Sequence, residues 1–129
     1  MTEIHFGRCL CGAVSFTVEA PLGAPDACHC RECRRQSGHY WASTDVPRAA
    51  VTITGADALR WYQSSERVRR GFCGTCGAFL FWDVSGREKI AIGMGAFDTP
   101  TGTALAHHIF VAEKGDYYTI ADGLPQNEH

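Results

Sequence analysis

A chain of 129 residues with 45% hydrophobic content has the size and composition of one globular domain that buries a core unaided. A net charge of −2 argues against a nucleic-acid surface, and the longest apolar run, residues 78–82, is far too short to span a bilayer. No basic segment followed by an apolar stretch opens the chain, so the expectation is a soluble, cytoplasmic protein with no membrane partner.

In chain order, Val14, Phe16 and Val18 alternate with Ser15 and Thr17, the pattern of a half-buried strand. The only helical segment is Arg31–Ser37, closed by Gly38. Val51–Thr54, Leu59–Gln63, residues 78–82, Lys89–Gly93 and residues 108–111 read as further strands, rich in β-branched and aromatic residues. Gly12, Gly55, Gly71, Gly86, Gly102 and Gly115 lie in or near the breaks. The expectation is a mainly β fold of about eight strands and one short helix. It forms a single domain over 1–129, with 125–129 a flexible tail. Arg31, Arg34, Arg35, Arg67, Arg69 and Arg70 cluster locally and read first as solvated faces.

The seven cysteines carry the chemistry. Their odd number and the reducing compartment argue against a disulfide framework and for metal binding. Cys73-Gly74-Thr75-Cys76-Gly77 has the form of a zinc knuckle, and Cys9-Leu10-Cys11-Gly12 can supply two more thiolates. Four thiolates make a closed, structural zinc site that ties the N-terminal strand to the middle of the chain. A redox dithiol at Cys73 and Cys76 lacks the βαβ context it needs. Cys28-His29-Cys30-Arg31-Glu32-Cys33 is a second cluster. Cys30 and Cys33 share one face of a helical turn. Three thiolates leave a fourth position for water, a substrate thiol or a distant side chain, the mark of a catalytic zinc. A closed alternative uses His29, His39 or another histidine such as His107 or His108. An open three-thiolate zinc is a weak Lewis acid, but it strips the proton from a bound thiol. It therefore suits a sulfur nucleophile attacking a small electrophile such as an aldehyde.

The chain resembles the glutathione-dependent formaldehyde-activating enzyme family, which includes centromere protein V. The likeness runs from Arg8 to about Pro125. It rests on Gly7-Arg8-Cys9-Leu10-Cys11-Gly12-Ala13-Val14 and on Cys28-His29-Cys30-Arg31-Glu32-Cys33-Arg34-Arg35-Gln36-Ser37-Gly38. It rests further on Tyr62-Gln63-Ser64-Ser65, on Arg70-Gly71-Phe72-Cys73-Gly74-Thr75-Cys76-Gly77 and on His108-Ile109-Phe110-Val111. The resemblance implies an Mss4-like fold of small antiparallel sheets around a structural zinc. It implies that Cys9, Cys11, Cys73 and Cys76 hold this zinc and that Cys28, Cys30 and Cys33 hold a catalytic one. Two zinc ions per chain are expected, the second held less firmly. The implied reaction joins glutathione and formaldehyde into S-hydroxymethylglutathione, carbon–sulfur lyase chemistry in reverse. Family members often carry proline and tryptophan where this chain has Gly115-Asp116-Tyr117-Tyr118 after Lys114.

On this reading His39 is the candidate proton donor. Arg34, Arg35 and Arg70 are candidate partners of the glutathione carboxylates, because arginine binds carboxylates bidentately. Tyr40, Trp41, Trp61 and Phe72 are candidate lining residues. The rival readings are a zinc-stabilised binding module, a chromatin-associated zinc protein, and an enzyme for a different thiol adduct.

Overall fold

The computed structural model describes residues 3–129. Among the described residues, ten strands make two sheets, joined by one α-helix and short 3-10 turns. The smaller sheet joins β1 (His5–Arg8), β2 (Ser15–Val18) and β5 (Val51–Thr54) in the order β1-β2-β5, antiparallel throughout. The larger sheet contains β3 (Asp26–Cys28), β4 (Trp41–Pro47), β6 (Leu59–Gln63), β7 (Val68–Cys73), β8 (Phe79–Val84), β9 (Lys89–Gly93) and β10 (His107–Ile109). Its order is β10-β3-β4-β9-β8-β7-β6, and only the β10–β3 pair is parallel. No helix among the described residues is long and apolar enough to cross a membrane.

Strand alternation sends side chains to two different environments. Ile90 and Ile92 of β9 enter the core between the sheets, with Val14, Phe16, Val18, Val46, Leu80 and Phe81. Phe16 meets Phe81 and Phe97 edge-on, at ring-centroid distances of 5.6 and 5.3 Å, and so fastens the small sheet to the large one. Ala91, between the two isoleucines, packs instead with Cys28, Cys33 and Trp41. The large sheet therefore presents one face to the main core and the other to the second cysteine cluster.

The helix α1 (Arg31–Ser37) starts at Cys30, whose Sγ accepts from the Cys33 amide, and stops at Gly38, where φ is 93°. Left-handed backbone is cheap only for glycine, so the helix ends where the sequence places it. The strands expected at Val51–Thr54, Leu59–Gln63 and Lys89–Gly93 form with those bounds. Four more form where sequence patterning gave no strand: β1, β3, β4 and β7. Gly71, read as lying near a break, sits inside β7 at a register shift. A Cβ there would stand 2.9 Å from Cζ3 of Trp61, so the absent side chain lets the indole cross the strand.

The terminal segment, expected from the sequence to be a flexible tail, makes backbone hydrogen bonds. Pro125 and Asn127 accept from the amides of His108 and Val111, the Asn127 amide donates to His108, and Glu128 accepts from Ala112. These bonds lay the segment along β10, whose outer edge would otherwise carry unpaired backbone groups.

Candidate metal centres and the cavity beside them

The first cluster forms where two tight turns meet. Cys9 and Cys11 follow β1, and Cys73 and Cys76 flank the turn between β7 and β8. All four Sγ atoms lie within 4.8 Å of one another. Cys9 to Cys11 is 3.7 Å and Cys11 to Cys73 is 3.8 Å. A tetrahedral ion with zinc–sulfur bonds of about 2.3 Å requires sulfur–sulfur edges of about 3.8 Å, so the donor set fits such an ion. Backbone amides are aimed at the sulfurs: Val14 at Cys9, 3.3 Å, and Thr75 and Cys76 at Cys73, both 3.4 Å. The amides of Ala78 and Cys11 bring the Cys76 thiol down to about 6. Donors of this kind favour thiolate, the form that ligates metal.

The second cluster gathers Cys28 from the end of β3, Cys30 from the helix cap and Cys33 from the first turn of α1. Their sulfurs also lie within 4.8 Å of one another, and among the described residues no histidine or carboxylate joins them. Hydrogen bonds from the Cys28 and Cys33 thiols hold the Cys30 thiol far below the ordinary range, aided by the Cys33 amide and the charge of Arg70. The bonds of the Cys28 thiol to Cys30 and Cys33, with burial, push Cys28 up. Three soft sulfurs on one side of a common point fit a metal with one position left over.

His29 takes no part in that set. Its ring is fully buried, and both nitrogens are engaged elsewhere. Asp122 can only accept, so His108 Nε2 donates to it at 2.7 Å. In the tautomer that continues this donation, His108 Nδ1 accepts from His29 Nε2, at 2.9 Å, and His29 Nδ1 accepts from the Tyr118 hydroxyl. Burial, and next the neighbouring His108, lower the His29 pKa to about 4. The chain anchors the residue between Cys28 and Cys30 from behind, as partners outside the ligand set do in metal sites.

A cavity of about 670 Å³ opens beside the second cluster. Its lining includes Cys28, Cys30, Cys33, Trp41, Trp82, Ile109 and Phe110, and charged groups at Asp26, Asp45, Arg87 and Lys89. Trp41 lies flat on Phe79, with centroids 4.1 Å apart. Gly93 makes room for it, since a Cβ there would stand 2.9 Å from the indole nitrogen. Phe110 adopts φ 55°, unusual for a bulky residue, at the lip of the cavity.

Of the residues singled out from sequence, Arg70 and Trp41 line this cavity. His39 does not: its Nδ1 meets the Tyr117 hydroxyl at 2.6 Å. Arg34 donates to the Glu113 carbonyl at 3.2 Å, Arg35 is exposed, and neither reaches the cavity. Trp61 lies under Arg69 and beside Phe81, Tyr40 lies against His29, and Phe72 is half-buried on β7. Sequence reasoning missed Tyr118, Asp122, Trp82 and Phe110. The only signal for Tyr118 was its place in the segment Gly115-Asp116-Tyr117-Tyr118, which already stood out.

The sequence profile of the glutathione-dependent formaldehyde-activating enzyme matches residues 4–113. An uncharacterized lyase of Schizosaccharomyces pombe is 24% identical over 121 residues, covering 90% of this chain and 85% of that protein. A solved Rhodobacter sphaeroides protein from a structural-genomics programme shares the fold, with a TM-score of 0.60 at 23% identity. The match covers 78% of this chain and 99% of that one. With a match from Ile4 to Glu113 that takes in both cysteine clusters, the chain belongs to the glutathione-dependent formaldehyde-activating enzyme family.

Proposed function

We propose that the chain is a zinc-dependent carbon–sulfur lyase acting on a thiol–aldehyde adduct, with glutathione and formaldehyde giving S-hydroxymethylglutathione. The observation that carries this reading is the convergence of the Cys28, Cys30 and Cys33 sulfurs on one side only, at the wall of a cavity. Cys9, Cys11, Cys73 and Cys76 would hold a structural zinc, and Cys28, Cys30 and Cys33 a second one. Zinc bound by the second set would supply acidification of a thiol that takes its remaining position.

The chain's own residues do the rest. Cys28, Cys30 and Cys33 present anionic sulfur and keep the site electron-rich, which suits a nucleophilic sulfur better than a polarised carbonyl. Trp41 and Trp82 give the cavity an apolar wall, which sheds water from a small aldehyde. Asp45, Arg87 and Lys89 add charges of both signs to the lining, suited to the ammonium and carboxylate groups of glutathione. In the overall reaction the sulfur forms a bond to the carbonyl carbon and the C=O π pair moves to oxygen. The proton given up by the thiol is matched by one gained at that oxygen.

The test is a cobalt-substituted protein titrated with glutathione. A thiol-dependent change in the visible cobalt bands, absent from Cys30→Ser, is expected. Bands indifferent to glutathione, with cobalt bound at both clusters, would remove the open thiol position.

A further inference from the structure

We propose that Arg70 is the counter-charge of the second cysteine cluster, setting its preference for an anionic over a neutral fourth ligand. The inference rests on the reading that Cys28, Cys30 and Cys33 hold an ion with one open position. Arg70 stands on β7 and is only 4% exposed. A buried guanidinium cannot shed its proton, so it needs negative charge close by. Its ordinary partners are weak. Nη2 reaches Glu32 Oε2 at 3.5 Å, but that side chain is 62% exposed and hydrated. Nη1 reaches the Gln36 amide oxygen at 3.3 Å, a neutral acceptor, and Nε is buried with no acceptor at all.

The remaining partner is Cys33 Sγ, 3.6 Å from Nη1. With Glu32 exposed and the Phe79 ring, 5.7 Å from the guanidinium carbon, carrying no net charge, an anionic cluster is the buried balance for this cation. A dication with three thiolates carries one net negative charge, and a fourth thiolate raises it to two. A fixed positive charge in contact with one of the sulfurs stabilises the doubly charged state more than the singly charged one. A neutral ligand adds no charge, so its binding is much less sensitive to Arg70. Arg70 is thus a positioning residue that acts through Cys33. Glu32, paired to the same guanidinium, works against it.

The experiment compares affinities of the cobalt-substituted protein for 2-mercaptoethanol and for imidazole, read from the cobalt bands above the constant spectrum of the first cluster. Arg70→Met is expected to weaken thiolate binding about tenfold, the scale of effects from residues behind metal ligands, with imidazole changing less than about twofold. Arg70→Lys keeps the charge and restores most of the thiolate preference. Glu32→Gln, on an exposed side chain that the fold does not need, shifts the preference the other way, towards thiolate. Should Arg70→Met fail to fold, Glu32→Gln decides. An unchanged thiolate-to-imidazole ratio in Arg70→Met, or in Glu32→Gln where Arg70→Met does not fold, overturns the role of Arg70. Failure of the wild type to show cobalt–thiolate bands from the second cluster overturns the metal reading and this inference together.

Discussion

Cys11 allows the first metal centre to be weighed apart from packing. It is exposed, whereas Cys73 is fully buried, so Cys11→Ser removes a ligand without opening a cavity. The Cys11 and Cys73 sulfurs come together across 62 positions of sequence. Closing a loop of that length in the unfolded chain is worth about 4 kcal/mol in chain entropy, by the same reasoning as for a disulfide. For a domain of this size that corresponds to a fall of roughly 15 °C in melting temperature. The assay is denaturant unfolding in a Cys30→Ser background, with and without a strong chelator, so that only the first cluster responds. The parent is expected to lose about 4 kcal/mol on chelation. Cys11→Ser should start near that lower value and respond little to chelator. A Cys11→Ser protein as stable as its parent, and equally sensitive to chelator, would refute a structural metal at these four cysteines.

Three other outcomes follow from the geometry. Asp83 is buried, yet it accepts hydrogen bonds from Arg48 and Arg69, which outweigh its desolvation and lower its pKa. Asp83→Asn should cost about 2–4 kcal/mol at pH 7 in equilibrium unfolding. His29, held near 4 by burial, is protonated more readily in the unfolded chain, whose imidazole titrates at 6.5. Stability is therefore complete above 6.5 and falls towards pH 4, by at most about 1.4 kcal/mol per unit. His29→Gln should lack that part of the slope in denaturation series between pH 6.5 and 5. Gly71→Ala forces a methyl to within 2.9 Å of Trp61 and 3.2 Å of Phe81. It should destabilise by about 1–3 kcal/mol, read by thermal unfolding.

The parts of the molecule legible in the sequence are those fixed by local chemistry. The helix of α1 is bounded by a cysteine cap and a left-handed glycine, and both ends are written in adjacent residues. Lys89–Gly93 has three apolar residues in a row because both its faces are covered. The cysteine spacing marked both clusters because ligands on tight turns must sit close in sequence. β4 and β7 were hidden for the converse reason. Asp45 and Pro47 in β4, and Arg69, Arg70 and Gly71 in β7, disguise the strand pattern. Pro47 closes its strand, and the other four are explained by a tertiary partner: Arg87 for Asp45, Asp83 for Arg69, the second cluster for Arg70 and Trp61 for Gly71. The His29–His108 chain was invisible for the same reason, since it joins residues 79 positions apart. His39 shows that a near neighbour in sequence need not line the cavity. It follows the metal segment but turns to Tyr117.

The most direct test of the central claim is exchange spectroscopy of formaldehyde and glutathione by NMR, on protein containing two zinc ions per chain. The account predicts that the protein accelerates formation and cleavage of the adduct over the spontaneous rate, and that Cys30→Ser abolishes the acceleration while remaining folded. Exchange at the spontaneous rate with both ions bound, or full acceleration in Cys30→Ser, would contradict it.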